Sequence, residues 1–534
     1  MVVALTGEID SWNPYTTREL TSAGILDLLY PRLVMETDDG GFSPWLAEFW
    51  EFDSEGLELT FRIRGNAVWS DGTPVTCRDV LFTYEAQVAE ELAWHGAFVK
   101  ERIASVECPD EREVRFRFTE AYPHQLLDAN DNAVVPAAYA DVPLERWAAT
   151  VWEDRIISSG PFRLSSVRPG QEAVLERDES WWGAGNVHVD RAVLRVYPDT
   201  TAAVGRFLHG EVDLVGKLPP MKAEAVARRS GLRVVELSSL AYTYLAWNAL
   251  APGAYVEDRR ERGCSDERPC DESAEEIRRL QRARPHPILA DARIRRALSL
   301  AIDRRDLIDG LLGGYGRIGV SPIVSALWAH DPSAGVPFDP IGAAELLDGA
   351  GWRLPEGGGV REHGDRPLTL SVIVNAENRL RRDVLERVAA NLSAIGVELR
   401  AEPLPRREFV ARARNKDFDA VLSGWWAGTR VQPQNLLHSN AAVDRGNNLA
   451  SWSTSASDEL LDRASRAGSR EQALPLWAEW QAIFRIEQPL TVLYEERRLL
   501  AMSGRVRGPD PPFLNPYLGL CDWWIESDSA AESR

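Results

Sequence analysis

Lysine is almost absent from this chain. Lys100, Lys217, Lys222 and Lys416 are the only four among 61 basic residues, so arginine carries the positive charge. Against 81 acidic residues this leaves a net charge of −20. Such a balance excludes nucleic acid and anionic lipid as general partners, because both are repelled by it. Long apolar runs are missing too: no stretch of about 18 residues could cross a bilayer as a helix. The opening segment, "MVVALTGEIDSWNPYTT", has neither the basic nor the apolar stretch of a leader. The chain is therefore either cytoplasmic or an exported one whose leader is absent. Cysteine is scarce, with five residues, and none sit in the paired C-x-x-C spacing of a zinc site. Cys264 and Cys270 alone lie close together, bracketing "CSDERPC". A local disulfide is expected there in an oxidising compartment and free thiols otherwise. The eight histidines form no H-x-x-x-H pair, so no metal is expected. The motifs G-x-S-x-G, H-E-x-x-H and G-x-x-x-x-G-K-[ST] are all missing, and with them the constellations that catalysis needs. Gly314, Gly316 and Gly319 match G-x-G-x-x-G formally. A helix precedes them and a proline follows, the wrong setting for a dinucleotide fold. No cofactor is expected.

What is present is a well-punctuated globular sequence. The 534 residues, 44% apolar and 27% charged, can build a core and suggest about three domains. Val2–Leu5, "LELTFRIR" (57–64) and "VRFRF" (114–118) alternate or run apolar as strands do. "GPFRLSSVRPGQEAVLER" (160–177) reads as a hairpin turning at Pro169-Gly170. Short β-α-β units follow over 190–237. Residues 257–287 are almost wholly polar and read as a solvated insertion with one helical piece around 275–284. Beyond them "ARIRRALSLAIDRRDLIDGLLGG" predicts two helices split at Asp303. "PLTLSVIVN", "NRLRRDVLERVAANLSAIG", "VELRAEPL", "RREFVARARNK" and "FDAVLSGWW" then alternate strand and helix, as a sheet with covering helices requires. In the long helix Leu380, Val384, Val388, Leu392 and Ile395 share one face. "PLTVLYEERRLLAMS" (489–503) reads as one long strand.

Two stretches stand out. "WSDGTPVTCRDVLFTYE" (69–85) packs a turn at Asp71-Gly72, an N-cap at Thr76 with Asp79 three residues on, and the start of an amphipathic helix. This local grammar specifies a junction between strand and helix, with nothing in it that demands chemistry. The second is the doublet Trp425-Trp426, one of several among 19 tryptophans. It closes a strand and runs into "AGTRVQPQN". Ligands of open α/β sheets collect at such strand ends, and a tryptophan face beside arginine and amide groups suits a polar organic ligand.

Several blocks together resemble the peptide-binding class, family 5, of the extracellular solute-binding proteins that serve ABC importers. These are "SWNPYTT", the block from "LYPRLVMETDDGG" through "WSDGTPVTCRDVLFTYE", "SSGPFRL", "LADARIRRALSLAIDRRDLID", "GVELRAEPLPRREFVARARNKDFDAVLSGWW" and "NNLASWSTSASDELLDRA". The resemblance implies an α/β, two-lobed periplasmic-binding-protein-like fold of the class II type, with a small α+β domain inserted in the first lobe. Lobe I would cover 1–20, 156–243 and 492–534, the inserted domain 21–155, and the other lobe 244–491. It implies export, with or without a lipid anchor, a membrane permease as partner, a monomer, and no enzymatic activity. Its ligand would be an oligopeptide or similar small polar molecule, with an oligosaccharide as the alternative and an enzyme of the same cleft as the rival class. The implied ligand residues are Trp425, Trp426, Gly428, Thr429 and Arg430, with Trp247 and Asn248 at the lobe crossover and Trp12 and Asn13 in the first loop. In the matching run of the family a carboxylate often pairs with the ligand's amino group. Here the run is Ala427-Gly428-Thr429-Arg430, so that anchor is missing, and Arg430 would favour an anionic or hydroxyl-rich group.

Overall fold

The computed structural model describes residues 1–149, 152, 156–264, 274–442 and 446–526. The chain divides into two compact units, residues 1–238 with 498–534, and residues 239–497.

The first unit is built on a seven-stranded mixed sheet. Val2–Leu5 lies inside it, parallel to both Arg191–Val196 and Leu214–Val215. The predicted hairpin forms as Phe162–Arg168 and Glu172–Arg177. Its turn works because Gly170 takes φ +71°, a left-handed conformation that costs glycine little. The same unit carries a four-stranded antiparallel sheet of Ala47–Phe52, Glu58–Ile63, Glu113–Phe118 and Ile103–Asp110. Alternation buries Leu59, Phe61 and Ile63 in a separate core with Val114, Phe116 and Trp69.

The junction grammar of 69–85 is realised there. Asp71 Oδ1 accepts the Thr73 amide at 2.9 Å, and Gly72 takes φ +88°. Asp79 accepts the backbone amide of Thr76 at 2.7 Å, so the helix Cys77–Val88 starts where the cap pair sits. The first helical residue also ties this helix covalently to the sheet. Cys77 and Cys108 form a disulfide with Cα atoms 5.7 Å apart. Sequence spacing gave no hint of this pairing, since 31 residues separate the two. Cys521 is a buried free thiol whose pKa burial pushes up to about 12. Cys264 is disulfide-bonded, while Cys270, its expected partner, lies outside the described residues.

The second unit is built on a six-stranded sheet in the order Gly316–Ile318, Leu490–Glu496, Ala241–Trp247, Ala420–Trp426, Thr369–Asn375, Glu398–Leu404. Helices Ala292–Leu300, Arg304–Leu311, Pro340–Gly349 and Arg379–Ser393 contribute to one core with it. Asp303 caps the second of these by accepting from the amides of Arg305 and Asp306. Val384, Val388, Leu392 and Ile395 enter that core as their spacing predicts, joined by Leu385, and Leu380 packs at its edge. Gly316–Ile318, inside the G-x-G-x-x-G match, is an edge strand paired with Leu490–Glu496, not a phosphate loop.

Two expectations need correction. The run 489–503 is two strands in different sheets. Leu490–Glu496 belongs to the second unit and Arg498–Ser503 to the first. Both are buried on both faces, so hydrophobic pattern cannot tell them apart; the break falls at the charged Glu496-Arg497. Residues 257–287 are also not simply solvated. Helices Ala254–Glu261 and Ala274–Ala283 bury Tyr255, Ile277 and Leu280 against Leu250 and Ala442. Arg279 pairs with Asp258 at 2.7 Å and Arg278 with Asp458 at 2.8 Å. Three apolar residues suffice for a small satellite core, because the long arginine stems cover the rest.

Candidate ligand site

The candidate site lies at the end of the six-stranded sheet where Ala420–Trp426 stops. Three strands run side by side there. Trp425 stands opposite Tyr242, and Tyr242 opposite Glu495. One step along, Gly424 stands opposite Thr243, and Thr243 opposite Tyr494. Side chains alternate across a sheet, so directly paired residues share a face. The Trp425-Trp426 doublet is therefore split between the two faces.

The Trp425 face is packed. Trp425, Tyr242, Ile323, Leu327 and Arg430 close around a recess of only about 10 Å³, room for one water at most. Glu495 is buried beside them and accepts both the amide and the hydroxyl of Ser325. The Tyr242 hydroxyl is buried without a hydrogen-bond partner, and burial holds its pKa well above the ordinary tyrosine value. Tyr244, whose ring centroid lies 5.8 Å from that of Tyr242, is pushed up to about 12 by the same cause.

The opposite face carries the groups that could meet a ligand. Trp426 follows Gly424 by two residues and is 52% exposed. Gly424 leaves a notch over which the Arg381 guanidinium lies; any side chain at 424 would collide with it. Arg381 stands in the first turn of Arg379–Ser393, held by the Asn378 cap that accepts its amide at 3.0 Å. Among the described residues no carboxylate pairs with Arg381. The sequence reading missed this residue. The available signal was a helix start directly after the strand Thr369–Asn375, the position where open α/β sheets gather anions.

The remaining expected residues are distributed as follows. Ala427 donates its amide to the Leu240 carbonyl at 2.9 Å, which anchors the start of the loop. Gly428 takes φ +70°, the left-handed region that glycine enters without strain. Thr429 and Arg430 are half-buried beyond it, with Arg430 at the recess. Trp247 and Asn248 are corrected to structural roles. Both are fully buried; the Trp247 indole donates to Thr491 Oγ1 at 2.8 Å. The Asn248 amide donates to the carbonyls of Lys416 and Phe418, and its oxygen accepts from Leu250. No polar group is left on either for a ligand. In the first unit Trp12 and Asn13 are also buried. Asn13 builds its own turn by accepting from Tyr15, Thr16 and Thr17, and only its Nδ2 lacks a partner. No group of three or more metal-ligating side chains occurs among the described residues.

The chain is similar to known proteins over nearly its whole length. The oligopeptide-binding protein AppA of Bacillus subtilis is 23% identical over 533 residues, covering 98% of this chain and 91% of its own. A dipeptide-binding protein of Pseudomonas aeruginosa is 24% identical over 504 residues, covering 90% and 86%. The crystal structure of the ABC transporter substrate-binding protein CtaP from Listeria monocytogenes superposes with a TM-score of 0.81 at 17% identity, over 99% of each chain. That likeness establishes the α/β periplasmic-binding-protein fold. The family model for bacterial extracellular solute-binding proteins, family 5, matches residues 41–448. This chain is a member of that family.

Proposed function

We propose that the protein is an extracytoplasmic receptor that captures a short peptide and presents it to an ABC permease. The observation that carries the reading is the open face of the six-stranded sheet. An exposed tryptophan, a glycine notch and an arginine without a carboxylate partner meet there at a strand end. A guanidinium in that position suits a peptide carboxylate, and the relatives named above bind oligopeptides and dipeptides. The oligosaccharide alternative is not carried forward, since the relatives named above bind peptides, nor is the enzyme alternative, since the matching family is one of solute-binding proteins. Trp426 and Arg381 are the proposed ligand contacts, with Gly428, Thr429 and Arg430 shaping the loop beside them.

Further parts of the reading have their own support. The two units are joined by direct strand-to-strand crossings, Leu237 to Ala241 and Glu496 to Arg498. Such short links suit a receptor whose ligand shifts an open–closed equilibrium by binding one state better. A separate domain over 21–155 within the first unit is favoured by the independent core of the four-stranded sheet. The Cys77–Cys108 disulfide favours folding in an oxidising compartment. A monomer completes the proposal.

The test is native mass spectrometry of protein purified without refolding, followed by calorimetry with a peptide library. A co-purified peptide released on denaturation, and 1:1 micromolar or tighter binding of library members, is the expected result. Absence of binding by any peptide of two to nine residues would overturn the peptide reading.

A further inference from the structure

The negative charge of this chain is concentrated in one region. Residues 21–155 hold 26 acidic and 11 basic residues, a net of −15. The other 399 residues hold 55 and 50, a net of −5. The second unit alone, residues 239–497, holds 37 and 34. Acidity that served solubility alone would be shared, since every part of the surface meets the same solvent. Here a quarter of the chain carries three quarters of the surplus. Crowding like charges together costs stability through self-repulsion, so their concentration in one region calls for a second reason.

The fold of this region leaves the surplus open to solvent. Its arginines are largely taken up internally: Arg62 pairs with Asp110 at 3.1 Å, Arg102 with Glu120 at 3.1 Å, Arg115 with Glu58 at 3.0 Å and Arg117 with the same glutamate at 3.2 Å. Lys100 is buried, and its ammonium donates to the Asp128 carbonyl. Glu51, Glu55, Glu85, Glu90, Glu91 and Glu101 are by contrast all exposed, and among the described residues none of the six pairs with a basic side chain. Four of them lie between the last turn of Cys77–Val88 and Glu101. Exposed carboxylates of one sign add into a common field. It extends about one Debye length into the solvent, about 30 Å at 0.01 M salt and about 8 Å at 0.15 M.

We propose that residues 21–155 steer cationic peptides to this receptor, and that its ligand class is the short peptide of net positive charge, rich in lysine or arginine. This inference rests on the peptide-receptor reading and deepens it. The field lowers the energy of a cation along its approach and raises that of an anion. It therefore changes the association rate and leaves the contacts of the bound state as they are. The carboxylate proposed for Arg381 is common to all free peptides, so that contact does not tell a basic peptide from an acidic one. The field of the acidic region does.

The experiment is stopped-flow mixing of the full chain with trilysine, trialanine and triglutamate, of charge about +3, 0 and −3 at pH 7, followed by tryptophan fluorescence. At 0.01 M salt the wild-type protein is expected to associate with trilysine at least about 10-fold faster than with trialanine, and with triglutamate most slowly; at 0.5 M the three rates should converge to within about 2-fold. Glu51→Lys, Glu55→Lys, Glu85→Lys, Glu90→Lys, Glu91→Lys and Glu101→Lys combined bring the net charge of 21–155 from −15 to −3. This variant is expected to reduce the trilysine advantage at 0.01 M to less than about 2-fold and to leave both trialanine rates unchanged. Equal rates for the three peptides at 0.01 M, or a combined variant that keeps the full trilysine advantage, would overturn the proposal while leaving the peptide-receptor reading intact. Failure of every peptide to bind the wild-type chain would overturn both. Circular dichroism checks that the variant folds; if it does not, the salt dependence of the wild-type rates decides alone.

Discussion

The two faces at the end of the six-stranded sheet use the same strands and nearly the same residue types for opposite purposes. Each presents tyrosine, tryptophan, a glutamate and an arginine. On one face Trp425 and Tyr242 are closed in around a recess that holds one water at most, and Glu495 is buried and saturated by Ser325. On the other, Trp426 is exposed, and Arg381 and Glu496 pair neither with each other nor with any other charge among the described residues. Composition does not separate a wall from a site. The charged groups do: Glu495 has both oxygens filled by Ser325 and holds the fold, whereas Arg381 and Glu496 have no charged partner among the described residues.

The sharpest way to break this comparison is deep on the open face, where the same side of the strand becomes core. Trp247→Ala removes a fully buried indole that donates to Thr491. It is expected to cost about 3–5 kcal/mol of stability, read as a shift in the urea midpoint, with ligand affinity unchanged in the fraction that remains folded. A smaller effect comes from the tyrosines, one on each face. Tyr244 and Tyr494 both have pKa values raised to about 12 from 10.0 by burial. Below pH 10 both folded and unfolded chains hold these protons, and their contribution to stability is whole. As pH rises from 10 towards 12 the unfolded chain releases its protons first, so stability falls. Each phenol accounts for about 2–3 kcal/mol of that alkaline loss. Tyr244→Phe and Tyr494→Phe should each remove about half of one share between pH 9 and pH 11, measured as the difference in urea midpoint. The smallest change sharpens the comparison most. Trp425→Ala should cost about 2 kcal/mol of stability, because the ring is half-buried. Trp426→Ala should cost less than about 0.5 kcal/mol and yet lower peptide affinity several-fold. Equal effects of the two substitutions on affinity would show that the faces are not distinct.

Much of this was legible in advance because it is local. Asp71-Gly72, Thr76 with Asp79, Asp303 and Pro169-Gly170 mark turns and caps with chemistry that acts within a few residues, and the elements start and stop at these signals. The strand-end position of Trp425-Trp426 was legible for the same reason. What was not legible depends on partners far away in sequence. Cys77 and Cys108 give no spacing signal, since their pairing follows from a helix packing on a strand. Trp247 and Asn248 looked available because they sit beside a crossover. Their enclosure comes from Thr491, Lys416 and Phe418, roughly 170 to 240 residues away. Arg381 and Glu496 belong to no motif and come to one end of the same sheet only through strand order.

The sequence by itself determined the family, the α/β alternation, the helix caps and the turns, because each is written in residues that act on their immediate neighbours or in blocks shared with relatives. Only the tertiary structure decided where the run 489–503 divides between two sheets, which member of the tryptophan doublet stays exposed, and which charges are left unpaired. Those outcomes depend on the order and register of strands that meet across hundreds of residues, and a side chain's burial and partners do not exist until that meeting has taken place.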